Sequence, residues 1–435
     1  MKKKLNKNFG ILNYKKAQKI IAGGTMLFSK KPELFSPNHW PTYFDKAKGC
    51  YVWGIDGKKY LDMYFGVGTN VLGYANNYID NKVISGLKKS NMSSLNALEE
   101  FHLAKKLISF HKWAKKVRFT RSGGEANAVA IRIARASTKK QNIAFCGYHG
   151  WHDWYLSSNL NNSNNLNEHL MSNLKFEGVT KQLKNTSFPF LYNDFKGLEE
   201  LVAKKNIGII KMEVYRNILP KNNFLKKIRN LCNKKKIILI FDECTSGFRE
   251  NLGGKHLDFN VNPDMAIFGK AIGNGYAINA ILGKDKYMKN INKTFISSTF
   301  WTERSGLIAA LETINQMQRI KSYKAIKVQG QKIKKIWRDA SKRTNIDINI
   351  NGMDSIPSFT FERDHNLSKS YLTQEMLKKN ILASNSVYVS IVHTDEILKK
   401  YKKIFNKIFD NLQNSKNKKK LLDGKESFSL MSRLN

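Results

Sequence analysis

The stretch ILIFDECTSGFR, residues 238–249, places an apolar run directly before two carboxylates, Asp242 and Glu243. Uninterrupted apolar runs of this kind are typical of strands buried on both faces, which occur in parallel sheets covered by helices. Successive side chains of a strand point to opposite faces, so only one carboxylate can face a shared site. An ionised carboxylate at such depth needs a cationic partner. The stretch therefore predicts an α/β fold with a polar site where this strand ends.

Similar apolar runs alternate with helical segments from about residue 100 onward. This alternation predicts a mainly parallel central sheet covered by helices, with ligands bound at the carboxyl ends of its strands. The segments are KVRFTR, QNIAFCGY, GIIKMEV, KIILIFDEC and MAIFGKAI as strands, and EANAVAIRIARAS as a helix.

A smaller α+β domain is expected from the two ends of the chain. Asp56-Gly57, between two β-prone runs, predicts a hairpin. After residue 305 a helical run, GLIAALETINQMQRI, is followed by IDINI and PSFTFE as strands. The expected domains are the N-terminal part of the small domain over 1–70, the large domain over 71–320, the C-terminal part of the small domain over 321–412, and a basic tail over 413–435 whose composition is typical of disorder.

The chain is strongly basic, with 75 Lys and Arg against 34 Asp and Glu and a formal net charge of +41. Such a charge can attract nucleic acid, but dispersed lysines without interleaved aromatics favour an enzyme with a lysine-rich surface. No apolar run approaches the length of a membrane span, and MKKKLNKNFG lacks the apolar segment of a signal peptide. The four cysteines show no metal-ligand spacing, so we expect a cytoplasmic protein without a metal site.

Residues 121–136, RSGGEANAVAIRIARA, join a predicted strand to a helix. Glycines let the backbone approach a ligand, and the amides at a helix start point outward, so with the hydroxyl of Ser122 they can form a phosphate cradle. A helix that is merely capped by Ser122 after a glycine turn is the alternative, and the motif alone does not decide between them. The motif is not GxGxxG, which argues against a nicotinamide-dependent dehydrogenase.

Residues 147–155, GYHGWHDWY, follow the next strand with a cluster of rings. Tyr148 could stack on a flat cofactor ring, and His149 could hydrogen-bond to it. A metal bound by His149 and His152 is the alternative, but the spacing supplies no third ligand. Glu213, at the end of GIIKMEV, is either a further carboxylate of the site or a structural acceptor for backbone groups.

Lys270 ends the apolar run of MAIFGKAIGNGYA, residues 265–277. An amine at the end of a buried strand is partly desolvated, which favours its neutral form and makes it a nucleophile toward carbonyl compounds. The alternatives are that its side chain reaches the surface or pairs with Asp242. Taken together, a phosphate cradle, an aromatic ring, a buried carboxylate and a nucleophilic lysine are the four parts that hold pyridoxal phosphate.

With these motifs the chain resembles the class III pyridoxal-phosphate aminotransferases of fold type I, a family that includes glutamate-1-semialdehyde 2,1-aminomutase. The resemblance runs from about Gly23 into the small domain and is sharpest between Arg118 and Ala310. It implies pyridoxal 5'-phosphate as the cofactor, Lys270 as the Schiff-base lysine and Asp242 as the partner of the pyridine nitrogen. The other implied cofactor contacts are the phosphate ligands Ser122, Gly123 and Gly124, the ring-stacking Tyr148, the neighbouring His149, and Cys244 against the opposite ring face.

In ISSTFWTERSG, Thr299 matches the threonine that this family donates to the phosphate of the neighbouring subunit's cofactor, which implies a homodimer with shared sites. The family usually has Val at the position of Cys244 and Pro at that of Val214, and both exchanges are compatible with cofactor binding. The segment FWTERSG differs more, because it lacks the glycine-rich gating loop and the Ser-Gly-Asn-Pro of the aminomutase.

These observations predict a pyridoxal-phosphate-dependent aminotransferase that moves an amino group between an amino donor and an aldehyde or ketone through a Lys270 Schiff base. Intramolecular transfer, as in glutamate-1-semialdehyde 2,1-aminomutase, is the alternative reaction, and a basic nucleic-acid-binding protein is the alternative of another class. A substrate anion would need a cation. The candidate arginines beside the motifs are Arg121, Arg216, Arg249 and Arg304.

Overall fold

The computed structural model describes residues 9–215, 217–415 and 417–427. Arg216 and the last residues of the expected tail therefore lie outside the described residues. The chain divides into two compact units, which are described separately. Among the described residues, the larger unit is Asn77–Tyr323, and the smaller one combines residues 9–76 with those from Lys324 to 427.

The elements are numbered in chain order. The strands are β1 (Phe44–Lys48), β2 (Tyr51–Gly54), β3 (Lys59–Asp62), β4 (Lys116–Thr120), β5 (Asn142–Cys146), β6 (Ser187–Pro189), β7 (Ile207–Glu213), β8 (Ile238–Glu243), β9 (Met265–Phe268), β10 (Asn279–Gly283), β11 (Ile348–Asn351), β12 (Ser358–Phe361) and β13 (Ile381–Leu382). The helices are α1 (Phe9–Ala17), α2 (Phe65–Gly68), α3 (Asn77–Leu87), α4 (Glu99–Phe110), α5 (Gly123–Thr138), α6 (Asp153–Leu156), α7 (Phe195–Lys204), α8 (Phe224–Lys235), α9 (Asp285–Met288), α10 (Arg304–Ile320), α11 (Ser322–Thr344), α12 (His365–Lys378) and α13 (Asp395–Asn414).

The larger unit is built on a seven-stranded sheet in the order β4-β10-β9-β8-β7-β5-β6. Neighbouring strands from β9 to β6 are parallel, whereas β10 runs antiparallel to both β9 and β4. The prediction of an α/β fold with a mainly parallel central sheet is confirmed. Because β5, β7, β8 and β9 run in the same direction, their carboxyl ends meet at one edge of the sheet.

Apolar side chains cover both faces of this sheet, as continuous apolar strands require. On one face α5 packs Ala126, Val129 and Ile133 against isoleucines of the central strands. On the other face α7 and α8 contribute Leu198 and Ile228 to a second core cluster. The strand ends are thereby held between two packed layers.

The smaller unit contains a four-stranded sheet in the order β1-β2-β3-β13 and a separate pair, β11-β12. The hairpin predicted at Asp56-Gly57 is confirmed, since β2 and β3 pair antiparallel on either side of it. Strands β11 and β12 are also antiparallel and correspond to the predicted IDINI and PSFTFE segments. Throughout the described part of the chain, the helices are too short or too polar to span a bilayer.

The tail differs from the solvated segment that its composition suggests, as far as it is described. Ser427 is buried, and its amide donates to Ser370 Oγ on α12 at 2.8 Å. Asp423 N donates to Gln374 Oε1 of the same helix at 2.7 Å. Residues 417–427 are thus held by polar contacts with α12, which composition does not reveal.

Candidate active site

Helix α5 begins at the predicted phosphate cradle. Ser122 Oγ accepts from the amide of Glu125 at 3.4 Å, and Glu125 Oε2 accepts from the amide of Ser122 at 2.8 Å, which together form a capping box. Ser122 therefore caps the helix, as one of the two alternatives predicted, and this cap is compatible with a phosphate cradle. The cap satisfies the amide of Glu125, while the amides of Gly123 and Gly124 point out of the first turn.

The glycines of the cradle bring the other motifs close to α5. A Cβ on Gly124 would lie 3.0 Å from the ring of His152, and one on Gly150 would lie 3.1 Å from the Cα of Gly124. A Cβ on Gly123 would lie 3.5 Å from Cys244 Sγ. The GYHGWHDWY loop and the end of β8 therefore both adjoin the cradle.

Tyr148 and His149 follow β5 at the same edge. The amide of Tyr148 donates to Glu213 Oε2 at 3.1 Å, so Glu213 serves as a backbone acceptor between strand ends. His149 is fully buried, and its Nε2 lies 3.1 Å from the carbonyl oxygen of Cys146. Its Nδ1 lies 2.9 Å from Asp242 Oδ2, and burial lowers the pKa of His149 although the contact with Asp242 opposes that change.

Asp242, the next-to-last residue of β8, is a buried carboxylate whose oxygens are both engaged. Oδ1 accepts from the amide of Cys244 at 3.1 Å, and Oδ2 lies 3.7 Å from the Nζ of Lys211 on β7. Burial alone would raise the pKa of Asp242, but Lys211 and His149 outweigh burial and hold that pKa below its usual range. The cationic partner that the sequence required is Lys211.

Lys270 follows β9 with its backbone in the left-handed region, at φ 44°. This conformation is unfavourable for a residue with a side chain and is found at functional positions. Its Nζ donates to Thr245 Oγ1 at 2.8 Å. A Cβ on the preceding Gly269 would lie 2.0 Å from Asn279 Oδ1, so a larger residue there would displace the Asn279 side chain. The lysine amine is thereby directed toward the end of β8.

Glu243 points away from this site, as the alternation of side chains along a strand predicts. Its Oε1 accepts from Nδ1 and the amide of His256, at 2.8 and 2.9 Å. Its Oε2 accepts from Ser246 Oγ at 2.5 Å and from the amide of Lys255 at 2.7 Å. Glu243 therefore ties the segment after β8 back onto the sheet.

Thr299 is exposed at the start of the short 3₁₀ helix Thr299–Thr302. Arg121 holds this segment, because its guanidinium donates to the carbonyl oxygens of Phe300 and Trp301 at 3.0 and 2.9 Å. Thr299 therefore lies at the surface, near the end of β4 that leads into the phosphate cradle.

The candidate arginines within the described ranges have structural partners. Arg304 forms a two-pronged contact with the carboxylate of Glu99, with distances from 2.9 to 3.1 Å. Arg249 is fully buried, and its Nε donates to the carbonyl oxygen of Thr245 at 2.5 Å. With Arg121 engaged as described above and Arg216 outside the described residues, a substrate-binding arginine stays a prediction.

Comparison with known proteins identifies the family that shares this arrangement. Residues 35–409 match the aminotransferase class-III family. The chain belongs to the class III aminotransferases. Membership confirms the predictions of an enzyme of the pyridoxal-phosphate aminotransferase and aminomutase class, and of pyridoxal 5'-phosphate as its cofactor. A nucleic-acid-binding function finds no support.

Relatives of both reaction types are similar to this chain. The 3-aminobutyryl-CoA aminotransferase of Cloacimonas acidaminovorans is 32% identical, covering 88% of this chain and 92% of that protein. The glutamate-1-semialdehyde 2,1-aminomutase of Sulfurisphaera tokodaii is 30% identical, covering 88% of this chain and 96% of that protein. Among solved structures, the FumI protein of Sphingopyxis sp. MTA144 superposes with a TM-score of 0.84 at 20% identity, covering 95% of this chain and 99% of that chain.

The residues at this edge fit the cofactor of a class III aminotransferase. The first amides of α5 suit a phosphate, and the tight approach of the His152 ring to Gly124 leaves no space there for a larger side chain. The carboxylate of Asp242 suits a protonated ring nitrogen, and the amine of Lys270 suits an aldehyde. All these groups lie at one edge of the sheet.

Sequence reasoning did not single out Lys211, Thr245 or Asn279. Lys211 carried a signal, because it is the one charged residue within the otherwise apolar GIIKM segment. Thr245 and Asn279 carried none, since a threonine or an asparagine in a turn is common. Their roles depend on contacts between neighbouring strands, which a linear pattern does not contain.

Proposed function

We propose that this class III enzyme is an aminotransferase that transfers an amino group between an amino donor and a separate aldehyde or ketone. The observation that carries the proposal is the contact of Lys270 Nζ with Thr245 Oγ1, three residues after the ion-paired Asp242, while the start of α5 adjoins the intervening Cys244 at Gly123. The proposed cofactor ligands are Ser122, Gly123, Gly124, Tyr148, His149, Asp242, Cys244, Lys270 and, from a neighbouring subunit, Thr299.

Each proposed residue has a distinct task. When bound, pyridoxal phosphate supplies an electron sink next to the carbon that carries the amino group. Lys270 would anchor the cofactor covalently and, once displaced by the donor's amine, would remove and return the proton on that carbon. Thr245 would keep the released amine within reach, and Asp242 would favour a protonated ring nitrogen.

Transfer between two molecules is preferred to intramolecular transfer because of the segment around Thr299. FWTERSG has no glycine-rich stretch, and Arg121 fixes it through backbone carbonyls. Such a segment is poorly suited to open and close over one retained substrate. The aminomutase reaction is the second candidate, favoured by relatives of that name at 30% identity.

The two reactions can be separated with the chain loaded with pyridoxamine 5'-phosphate. It is incubated with a panel of oxo acids, sugar ketones and glutamate semialdehyde, and the amino products are identified by mass spectrometry. We expect amination of an oxo acid or a sugar ketone, with conversion of the protein to its pyridoxal form. Formation of 5-aminolevulinate from the semialdehyde without a separate donor would contradict the preference.

A homodimer is part of the proposal because Thr299 lies beside exposed apolar side chains. Phe295 and Phe300 are 86% and 69% exposed, and Leu98 and Phe101 are more than half exposed near the same segment. Leu98, Phe101 and Trp301 also line an open cavity of about 530 Å³. An apolar surface of this kind favours burial against a second copy of the chain.

A cytoplasmic location is proposed from the cysteines. Cys50 and Cys232 are buried as free thiols. Proteins whose cysteines stay unpaired are typical of reducing compartments.

A further inference from the structure

Lys211 is a lysine in the middle of the central sheet. Every residue of β7 is buried, and Lys211 is 0% exposed, between Phe145 on β5 and Ile240 on β8. Removing an ammonium group from water is costly unless an opposite charge compensates. An apolar residue would satisfy the core at this position, so the lysine calls for a specific reason.

The ammonium of Lys211 faces the proposed ring partner of the cofactor. Its Nζ lies 3.7 Å from Asp242 Oδ2 and, within the part of the chain that is described, has no hydrogen-bond partner. The other titratable groups that interact with it are Glu213 on its own strand, Cys244 after β8 and His149 after β5. Burial lowers the pKa of Lys211, and Asp242 opposes that change by favouring the charged ammonium.

Asp242 is therefore shared among several positive or hydrogen-bonding partners. His149 Nδ1 and Lys211 Nζ both approach Oδ2, while the amide of Cys244 occupies Oδ1. A carboxylate holds a proton on a neighbouring ring nitrogen through its negative charge. A cation beside the carboxylate reduces that effect, because it stabilises the carboxylate and repels the proton.

We propose that Lys211 is a positioning residue that weakens the hold of Asp242 on the cofactor's ring proton, so that this enzyme's ring deprotonates at lower pH than with an apolar residue at 211. The inference rests on the proposed function, since it takes Asp242 as the ring partner. Lys211 touches neither substrate nor cofactor in this account. It acts through Asp242 alone.

The test follows the ring nitrogen directly in the full-length protein. Wild type, Lys211→Met, Lys211→Arg and Lys369→Met are each loaded with pyridoxamine 5'-phosphate carrying a ¹⁵N-labelled ring nitrogen. The ¹⁵N chemical shift is recorded against pH. Lys211→Arg keeps the charge, and Lys369→Met removes another buried lysine, on α12 of the other unit.

The expected result is a higher midpoint in Lys211→Met, by about one pH unit or less, because Lys211 acts on the ring nitrogen only through Asp242 and a charge directly beside a titrating group shifts its pKa by about 1 to 3 units. Lys211→Arg and Lys369→Met should titrate like wild type. The dissociation constant of pyridoxamine phosphate at the wild-type midpoint should fall several-fold in Lys211→Met only. If Lys211→Met does not fold, Lys211→Gln takes its place, with the same upward shift expected.

Two results would overturn the inference, and only the second would also overturn the proposed function. Identical midpoints in all four proteins would mean that Lys211 only fills the core, and the proposed function would stand. Failure of the wild type to bind pyridoxamine phosphate would remove the proposed function together with the inference.

Discussion

Thr245 links the end of β8 to the amine of Lys270. Its Oγ1 accepts from Lys270 Nζ at 2.8 Å, while its carbonyl oxygen accepts from the buried Arg249. The hydroxyl thus has a fixed place next to the amine. In the proposed function, this contact would keep the amine oriented once it is released from the cofactor.

Replacing Thr245 by Val keeps the shape of the side chain and removes the hydroxyl. We expect the rate of the first half-reaction to fall about fivefold to tenfold, as for one hydrogen bond of about 1 kcal/mol. The rate is measured by single-turnover absorbance with an amino donor. Thr245→Ser keeps the hydroxyl and should retain most of the rate, and equal losses in both variants would contradict the role of this contact.

The need for a cation beside Asp242 could be predicted from the sequence, but its identity could not. A buried carboxylate at a strand end requires compensation whatever the fold. Lys211 supplies it from the neighbouring strand, 31 positions earlier in the chain, as its ion pair with Asp242 shows. The pairing of β7 with β8 in this register brings them together, and register is a property of the folded sheet.

The start of α5 is the element that receives the phosphate in the proposed function. Gly124→Ala would place a Cβ 3.0 Å from the ring of His152, tighter than ordinary packing. The ring or the helix start must then move. We expect the affinity for pyridoxal phosphate to fall by about tenfold, in line with the 1 to 3 kcal/mol cost of overpacking.

Gly123→Ala is the matched control for this prediction. Its Cβ would meet Cys244 Sγ at 3.5 Å, an ordinary contact distance. The dissociation constants of both variants are measured by quenching of tryptophan fluorescence during titration with pyridoxal phosphate. Gly123→Ala should lose less affinity than Gly124→Ala, and the reverse order would contradict the steric explanation.

The segment following β8 depends on Glu243. Four donors converge on this buried carboxylate, from Ser246, Lys255 and twice from His256. Burial alone would raise the pKa of Glu243, but these hydrogen bonds outweigh burial and lower it. Because the folded-state pKa is below the unfolded value of about 4.3, the stabilisation is complete above that pH and is lost as the pH falls.

Glu243→Gln should therefore destabilise the protein by about 3 kcal/mol at pH 7, because an amide cannot accept from all four donors. The difference from wild type should shrink below about pH 4. The difference in the free energy of unfolding is measured by urea unfolding at several pH values. Glu200→Gln on α7 removes a carboxylate from an exposed pair with Lys204 and should change stability by less than about 0.5 kcal/mol. A difference that is independent of pH would contradict the account of Glu243.

Elements that are marked by an unbroken apolar run or by a capping motif could be predicted from the sequence. The strands before the four motifs and helix α5 follow from apolar runs and from the capping box that starts at Ser122. Strand β10 could not, because NAILG is short and follows a glycine-rich turn. It is held by antiparallel pairing with β4 and β9, whose residues lie far away in the sequence or across that turn.

At the scale of the whole molecule, the proposed dimer shares its sites between subunits. Thr299 of one copy would complete the phosphate site of the other. Mixing Thr299→Ala and Lys270→Ala chains after gentle dissociation should then form heterodimers with one intact site, because Lys270 comes from the first chain and Thr299 from the second. We expect cofactor affinity to recover at one of the two sites of each heterodimer, which is about a quarter of all sites when equal amounts of the two chains reassociate at random.

Each variant alone is the control and should bind pyridoxal phosphate weakly or without a covalent bond. Sedimentation analysis establishes that heterodimers have formed. If they form and no site recovers wild-type affinity, the proposed role of Thr299 at a partner's phosphate is wrong.

Lys270, among 75 Lys and Arg residues, is the one proposed to hold the cofactor. Borohydride reduction of the full-length protein with pyridoxal phosphate, followed by peptide mass spectrometry, tests it most directly. The account predicts a pyridoxyl group on the peptide that contains Lys270, and its loss in Lys270→Ala. A label on another lysine, or no label on the wild-type protein, would show that Lys270 does not hold the cofactor.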